Sequence, residues 1–200
     1  MTLPIMPVTK PADLRLAQNG RLTPCQLTSV TFPGVGHMSL HPTAARAWSA
    51  MAVACYAATK LSLSGTGCYR PYDAQLAVFS DRYTSTYNPL VNTLDHKRTW
   101  LGKTWYLRRG VYAVSVPGSS NHGLGIAVDA GWWTGNNLPG MSDIAGVTSK
   151  PVGWGWLQNE ATKYGWSWEL QSEPHHLRYV AGDTPPKAVL DVEAYLAAAA

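Results

Sequence analysis

The spacing of apolar residues changes period several times along the chain. From Thr43 to Thr59 an alanine-rich run carries Trp48, Met51, Val53 and Tyr56 at intervals that predict a helix with a buried stripe, and Pro42 after His41 suits its first turn. Leu61 to Leu63 predicts a short strand ending in the turn Gly65-Thr66-Gly67-Cys68-Tyr69-Arg70. A second helix is expected over Pro71 to Ser80, carrying Gln75, Leu76 and Phe79. Tyr83 to Arg98 is polar and irregular, as a surface loop beside a cleft would be. Short strands are expected at Trp105 to Leu107 and Tyr112 to Val114, around the turn Arg108-Arg109-Gly110. Gly125 to Gly131 alternates small and apolar residues, as a strand packed on both faces does. A loop rich in Gly, Asn and Ser should follow from Trp132 to Lys150. Then comes a helix from about Val152 to Tyr164, bearing Trp154, Trp156 and Leu157 and stopped by Gly165. Trp166 to Trp168 and His176 to Val180 read as further strands. A last helix opens at Thr184-Pro185-Pro186 and runs into an alanine tail, so residues 184–200 are a terminal helix or linker. Residues 1–38, rich in Pro, Thr and Gly, read as an extended segment wrapped on the domain.

Two hundred residues with 46% hydrophobic content, nine Trp and ten Tyr suffice for one domain with a proper core. Tryptophan outnumbers the two phenylalanines, which predicts aromatic-lined surfaces as well as an aromatic core. The net charge of +4 comes from scattered Lys and Arg without a base-reading motif, so nucleic-acid binding is set aside. That charge would suit an anionic polymer such as a bacterial cell wall. Met1 to Ala17 holds Pro4, Pro7 and Pro11 and no apolar run of signal-peptide length. The expectation is a monomeric protein made in the cytoplasm without a signal peptide, not inserted in a membrane, and acting on the wall. Cys25, Cys55 and Cys68 form no CxxC pair; one disulfide is possible, with buried free thiols the favoured state.

The chemistry concentrates in Ser120 to Asp129. His122 lies in a glycine-flanked loop feeding the strand from which Asp129 emerges. A hydrolytic zinc site needs three protein ligands, an open position and a nearby base. His122, Asp129 and His176 supply the ligands. Glu173, three residues before His176, supplies a proton acceptor, and Arg70 a cation for a developing oxyanion. Each residue alone has a blander reading: a turn histidine, a capping aspartate, a solvated glutamate, a surface arginine. Their joint occurrence carries the inference. His37, His41 and His96 have no spaced partner and read as structural or surface residues, and Trp154 and Trp156 as core.

Ser120-x-His122-x-x-Gly125-x-Ala127-x-Asp129 followed by Glu173-x-x-His176 resembles the paired signature of the D-alanyl-D-alanine carboxypeptidase family of zinc peptidases. That group includes vancomycin-resistance-type D,D-carboxypeptidases and phage endolysin L-alanyl-D-glutamate peptidases, and shares a fold with the hedgehog domain. Gly67-Cys68-Tyr69-Arg70-x-x-x-x-Gln75 is similar to the family's upstream element, so the resemblance spans His41 to Val180. It implies an α+β fold with a small antiparallel sheet flanked by helices, and a zinc peptidase domain over residues 39–183. It also implies Zn2+ on His122, Asp129 and His176, Glu173 as base, and Arg70, Gln75 and Ser120 as substrate contacts. One departure is His175, where the family usually has Trp; strand alternation lets only one of His175 and His176 reach the metal, and the spacing from Glu173 favours His176.

The leading expectation is a zinc peptidase cutting peptidoglycan stem peptides, as the catalytic domain of a phage endolysin of the L-Ala–D-Glu type. A D,D-carboxypeptidase is the alternative within the class, and a non-catalytic zinc-containing wall-binding module the alternative outside it. Glu173 argues against the last, because a structural zinc needs no base.

Overall fold

A computed structural model describes residues 2–133 and 144–199. Its centre is a four-stranded antiparallel sheet in the order β3-β7-β9-β8. The strands are β3 (Ser62–Thr66), β7 (Ala127–Trp133), β8 (Trp166–Trp168) and β9 (His176–Tyr179). Around it run α1 (Pro42–Thr59), α4 (Pro151–Glu160) and α5 (Lys187–Ala198). This is the α+β arrangement expected. β7 is buried along its length except at Asp129 and Trp133, which are half-buried. The alternation of small and apolar residues there reflects a strand covered on both faces.

The stripe on α1 differs from the expected one. Ala44, Trp48, Met51 and Cys55 form the buried face, whereas Val53 and Tyr56 are 39% and 53% exposed. Val53 is two residues from Met51, about 200° around the helix, so both cannot face one core. Trp48 instead meets Phe32 at 5.4 Å and the edge of Trp166 at 5.3 Å between ring centroids. α5 closes over α1 through the buried Val189 and an Arg46–Glu193 ion pair. Gly165, at φ 78°, stops the α4 region as expected.

Where an extended N-terminal segment is expected, a hairpin forms, β1 (Thr28–Phe32) with β2 (Gly36–Leu40). Only Val30, Phe32 and Leu40 of that hairpin are buried, too few apolar positions for the pattern to show in sequence. The segment before it is pinned at several points. Leu3 exchanges two hydrogen bonds with the Gln171 side chain (2.8 and 2.9 Å), and Met6 N–H donates to Ser167 Oγ (2.8 Å). His41 is buried and bonded to Asp13 (3.0 Å) and Thr43 (2.9 Å), a structural histidine that ties the segment to α1.

A second sheet lies between α2 (Tyr72–Arg82) and the Ser120 loop, in the order β4 (Tyr83–Thr84), β6 (Lys103–Leu107), β5 (Arg98–Trp100). No strand forms at Tyr112 to Val114. β6 pairs with β4 on one side and with β5 on the other, the latter joined to it by Leu101 and Gly102, both at positive φ (49° and 71°) as a two-residue hairpin requires. A leucine in the first of those positions is a poor turn signal, which hid the hairpin from the sequence pattern. Phe79, Tyr83, Trp100 and Trp105 give this sheet its own aromatic core. Of the loop expected over 132–150, residues 134–143 lie outside the described residues. At its edges Trp132 and Trp133 belong to β7, and Ile144–Thr148 forms α3. Cys55 and Cys68 are buried free thiols, while Cys25 is free but exposed. No helix among the described residues is long and apolar enough to cross a membrane.

Candidate metal centre

Strand register builds the site. Asp129 on β7 stands directly opposite His176 on β9, and such cross-strand neighbours project from the same face. His122 comes from the short 3-10 turn Asn121–Leu124 that leads into β7, closed by Gly125 in the left-handed region (φ 64°). The backbone N–H of Arg70 donates to the His122 carbonyl (3.0 Å), so the Gly67–Arg70 turn is fastened to the same loop.

His122 Nε2 lies 3.5 Å and His176 Nδ1 3.1 Å from Asp129 Oδ1, and the three donor groups fall within 4.8 Å of one another. Zinc bonds of about 2.0–2.1 Å at tetrahedral angles place ligand atoms about 3.3 Å apart, which the two measured separations bracket. Two imidazoles and one carboxylate also match zinc's donor preference and leave one position open. The ring atoms facing away are already committed. His122 Nδ1 sits 3.2 Å from the Cys68 carbonyl, and His176 Nε2 sits 3.1 Å from Glu169 Oε2. With a cation bound, those contacts would keep a proton on the outer nitrogen of each ring and turn the inner lone pair to the cation.

Gly67 keeps the space open. A Cβ on it would lie 2.5 Å from Asp129 Oδ2, and its φ of +62° disfavours any side chain. Gly67→Ala is therefore expected to displace the Asp129 carboxylate and weaken zinc binding by at least about tenfold, the low end of what disturbing a ligand's support costs. Chelator competition on the folded variant measures this. An unchanged affinity would mean that Asp129 Oδ2 is not held where it matters.

The electrostatics suit a cation. Burial opposes ionisation of Asp129, but hydrogen bonds from His122 and His176 outweigh it and hold the carboxyl far below the ordinary carboxylate range. Burial likewise pulls His176 down, yet its bonds to Asp129 and Glu169 win and raise it to about 9. Glu169 is brought down to about 2, chiefly by its hydrogen bond with His176. Burial lowers His175, whose Nδ1 is buried without a hydrogen-bond partner among the described residues. His175 contributes no donor to the cluster.

The remaining expected residues fall in different places. Arg70 is half-buried and near enough to Asp129 to feel its charge. Its Nη1 donates to Gln75 Oε1 (2.9 Å), and Gln75 Nε2 donates to the Ser115 carbonyl (2.7 Å). Gln75 is 3% exposed with both amide atoms engaged, so it is placed to hold Arg70 rather than to meet a ligand. Ser120 is buried at the start of the His122 turn, its carbonyl accepting from Asn19 (2.7 Å). Glu173 is half-buried, in a turn closed by the His176 N–H donating to its carbonyl (3.0 Å), and makes no ion pair among the described residues. Glu169 was not among the residues expected. The signal for it lies in pairing: Trp168 opposes Leu177, so the next step of that register brings Glu169 opposite His176.

The model of the family of VanY, D-alanyl-D-alanine carboxypeptidase, matches residues 37–182. The chain belongs to this family. The matched region takes in the whole His122–Asp129–His176 cluster with Arg70, Gln75 and Glu173, and the family is one of zinc metallopeptidases. Two of the solved structures that share the fold illustrate the likeness. One is the LdcB L,D-carboxypeptidase, described for its peptidoglycan recognition, with 23% identity, TM-score 0.55, and coverage of 88% of this chain and 76% of that one. The other is VanYB in complex with D-alanine-D-alanine, with 17% identity, TM-score 0.50, and coverage of 92% and 94%. No curated protein matches the chain.

Proposed function

We propose that this member of the family is a zinc-dependent carboxypeptidase acting on the stem peptides of bacterial peptidoglycan. The observation that carries the reading is the His122–Asp129–His176 cluster, with both outer ring nitrogens engaged and a glutamate in the turn leading to His176. Zinc held there supplies Lewis acidity, acidifying water and polarising a carbonyl oxygen. The Glu173 carboxylate takes the proton of the attacking water and returns it to the leaving amine. Arg70, braced by Gln75, faces the substrate with a fixed guanidinium that balances negative charge on the carbonyl oxygen or on a free terminal carboxylate. Ser120 contacts the peptide beside them. A wall-binding module without catalysis has no use for Glu173 or for a braced, half-buried Arg70.

Membership in a carboxypeptidase family favours trimming of a terminal D-amino acid over the phage-type L-alanyl-D-glutamate endopeptidase expected from the motifs. Mass spectrometry of stem peptides incubated with the zinc-loaded protein separates the two. Release of a single terminal residue is the expected product. Scission between L-Ala and D-Glu would replace this reading with the endopeptidase one, and intact peptides would remove the enzymatic reading altogether.

A further inference from the structure

His176 stands in a row of three cross-strand neighbours. Asp129 on β7 flanks it on one side, and Glu169, just past the end of β8, on the other. Its Nδ1 meets Asp129 Oδ1 at 3.1 Å and its Nε2 meets Glu169 Oε2 at 3.1 Å, so the ring is held at both nitrogens. The same Glu169 oxygen accepts from Asn121 Nδ2 at 2.8 Å, and Asn121 is the residue before His122. The other oxygen, Oε1, is 3.6 Å from Arg178 Nη1. One side chain therefore touches a metal-facing histidine and the loop that carries the second.

We propose that Glu169 is a positioning residue for the metal centre, orienting His176 through Nε2 and coupling it through Asn121 to the His122 loop. The inference rests on the reading of His122, Asp129 and His176 as metal ligands, and deepens it. An imidazole held by one nitrogen can still rotate about its Cβ–Cγ bond and exchange tautomers. An acceptor fixed at the outer nitrogen removes both freedoms, keeping the proton on Nε2 and the Nδ1 lone pair on the point shared with Asp129 and His122. Asn121 adds a geometric link: if the Glu169 carboxylate shifts, the 3-10 turn bearing His122 loses its tie to the β8–β9 hairpin. Arg178 limits that shift, since its guanidinium is also anchored by a bond from Nη2 to the Met6 carbonyl (3.2 Å). Glu169 lies four residues before the Glu173-x-x-His176 motif, so its role is invisible until the hairpin register is known.

Zinc affinity measured by chelator competition on the intact protein tests this, alongside Glu169→Ala, Glu169→Gln and the distant control Glu160→Gln. The expected result is about 10–100-fold weaker zinc binding for Glu169→Ala, the usual cost of losing an outer partner of a metal-bound histidine. Glu169→Gln should lie between that variant and wild type. Its amide oxygen can still accept from His176, but its NH2 then confronts Arg178. Visible absorption of the cobalt-substituted proteins gives a readout that loss of a merely structural contact would not move. The band positions should shift in both Glu169 variants and in neither wild type nor Glu160→Gln. Should Glu169→Ala fail to fold, Glu169→Gln decides alone. Affinities within twofold of wild type and superimposable cobalt spectra would overturn the positioning role while leaving the metal site standing. A wild-type protein that binds no zinc would overturn both.

Discussion

Glu173→Gln is expected to retain the wild-type zinc content and to lose about 10²–10⁴-fold in the hydrolysis of a stem peptide, the share that a positioned proton acceptor contributes. The reasoning is geometric. Glu173 donates nothing to the His122–Asp129–His176 cluster, yet the bond from His176 N–H to its carbonyl (3.0 Å) holds it in the turn that delivers a ligand. The glutamine substitution preserves shape and backbone and removes only the ability to take a proton. Two measurements are needed together, metal content by elemental analysis and turnover by product mass spectrometry. Full activity in Glu173→Gln would exclude this residue as the base. Parallel loss of zinc would instead make Glu173 part of the metal's support.

Asp129→Ala is expected to be the most damaging change for the metal, exceeding the roughly 10–100-fold that an outer partner costs because it removes a donor atom itself. Activity should vanish with it. The pH dependence adds a second arm. In the metal-free protein His176 titrates near 9 rather than 6.5, held up against burial by its bonds to Asp129 and Glu169. Its raised value contributes stability that is fully present below about pH 6.5 and is lost as pH climbs through about 9. Zinc binding needs the neutral ring, so apparent zinc affinity should run the other way, rising roughly tenfold per pH unit up to that range as one proton is displaced. Thermal melts with and without zinc between pH 6 and 9 report both trends. Asp129→Ala should flatten the metal-free trend, because a main support of the raised His176 value is gone. A wild-type melting temperature that rises with pH in the absence of metal would contradict this assignment.

The candidate ligands and base could be named from the chain because His122, Asp129, Glu173 and His176 sit in short segments that occur together, in an order resembling a peptidase family. A loop leads into a strand, and a tight turn leads into another, and neither needs distant information. The same holds for α1, opened by Pro42, and for the stop at Gly165. Those features lie within a few residues of one another, and propensity and turn chemistry act at that range. What the pattern misjudged was everything that depends on which surface meets which. Val53 and Tyr56 look apolar enough for a core, but α1 turns Ala44, Trp48, Met51 and Cys55 inward instead. In the Arg98–Trp100 strand only Thr99 is exposed, and Trp100 packs against Phe79 and Trp105, a contact no local signal announces.

The sequence by itself determined the chemistry available: two histidines, an aspartate, a glutamate and an arginine in an order shared with a peptidase family. Only the tertiary structure decided how those groups are aimed. Cross-strand register put Asp129 and Glu169 on either side of His176, the Cys68 carbonyl turned His122, and Gln75 was drawn inward to hold Arg70. Register and packing are agreements between segments, 47 residues apart for Asp129 and His176 and 54 for Cys68 and His122, and even the Glu169–His176 pair, seven residues apart, depends on how β8 meets β9. Their energies appear only when the strands have paired, so a one-residue slip in β8–β9 would erase the Glu169 contact without changing a single letter of the chain.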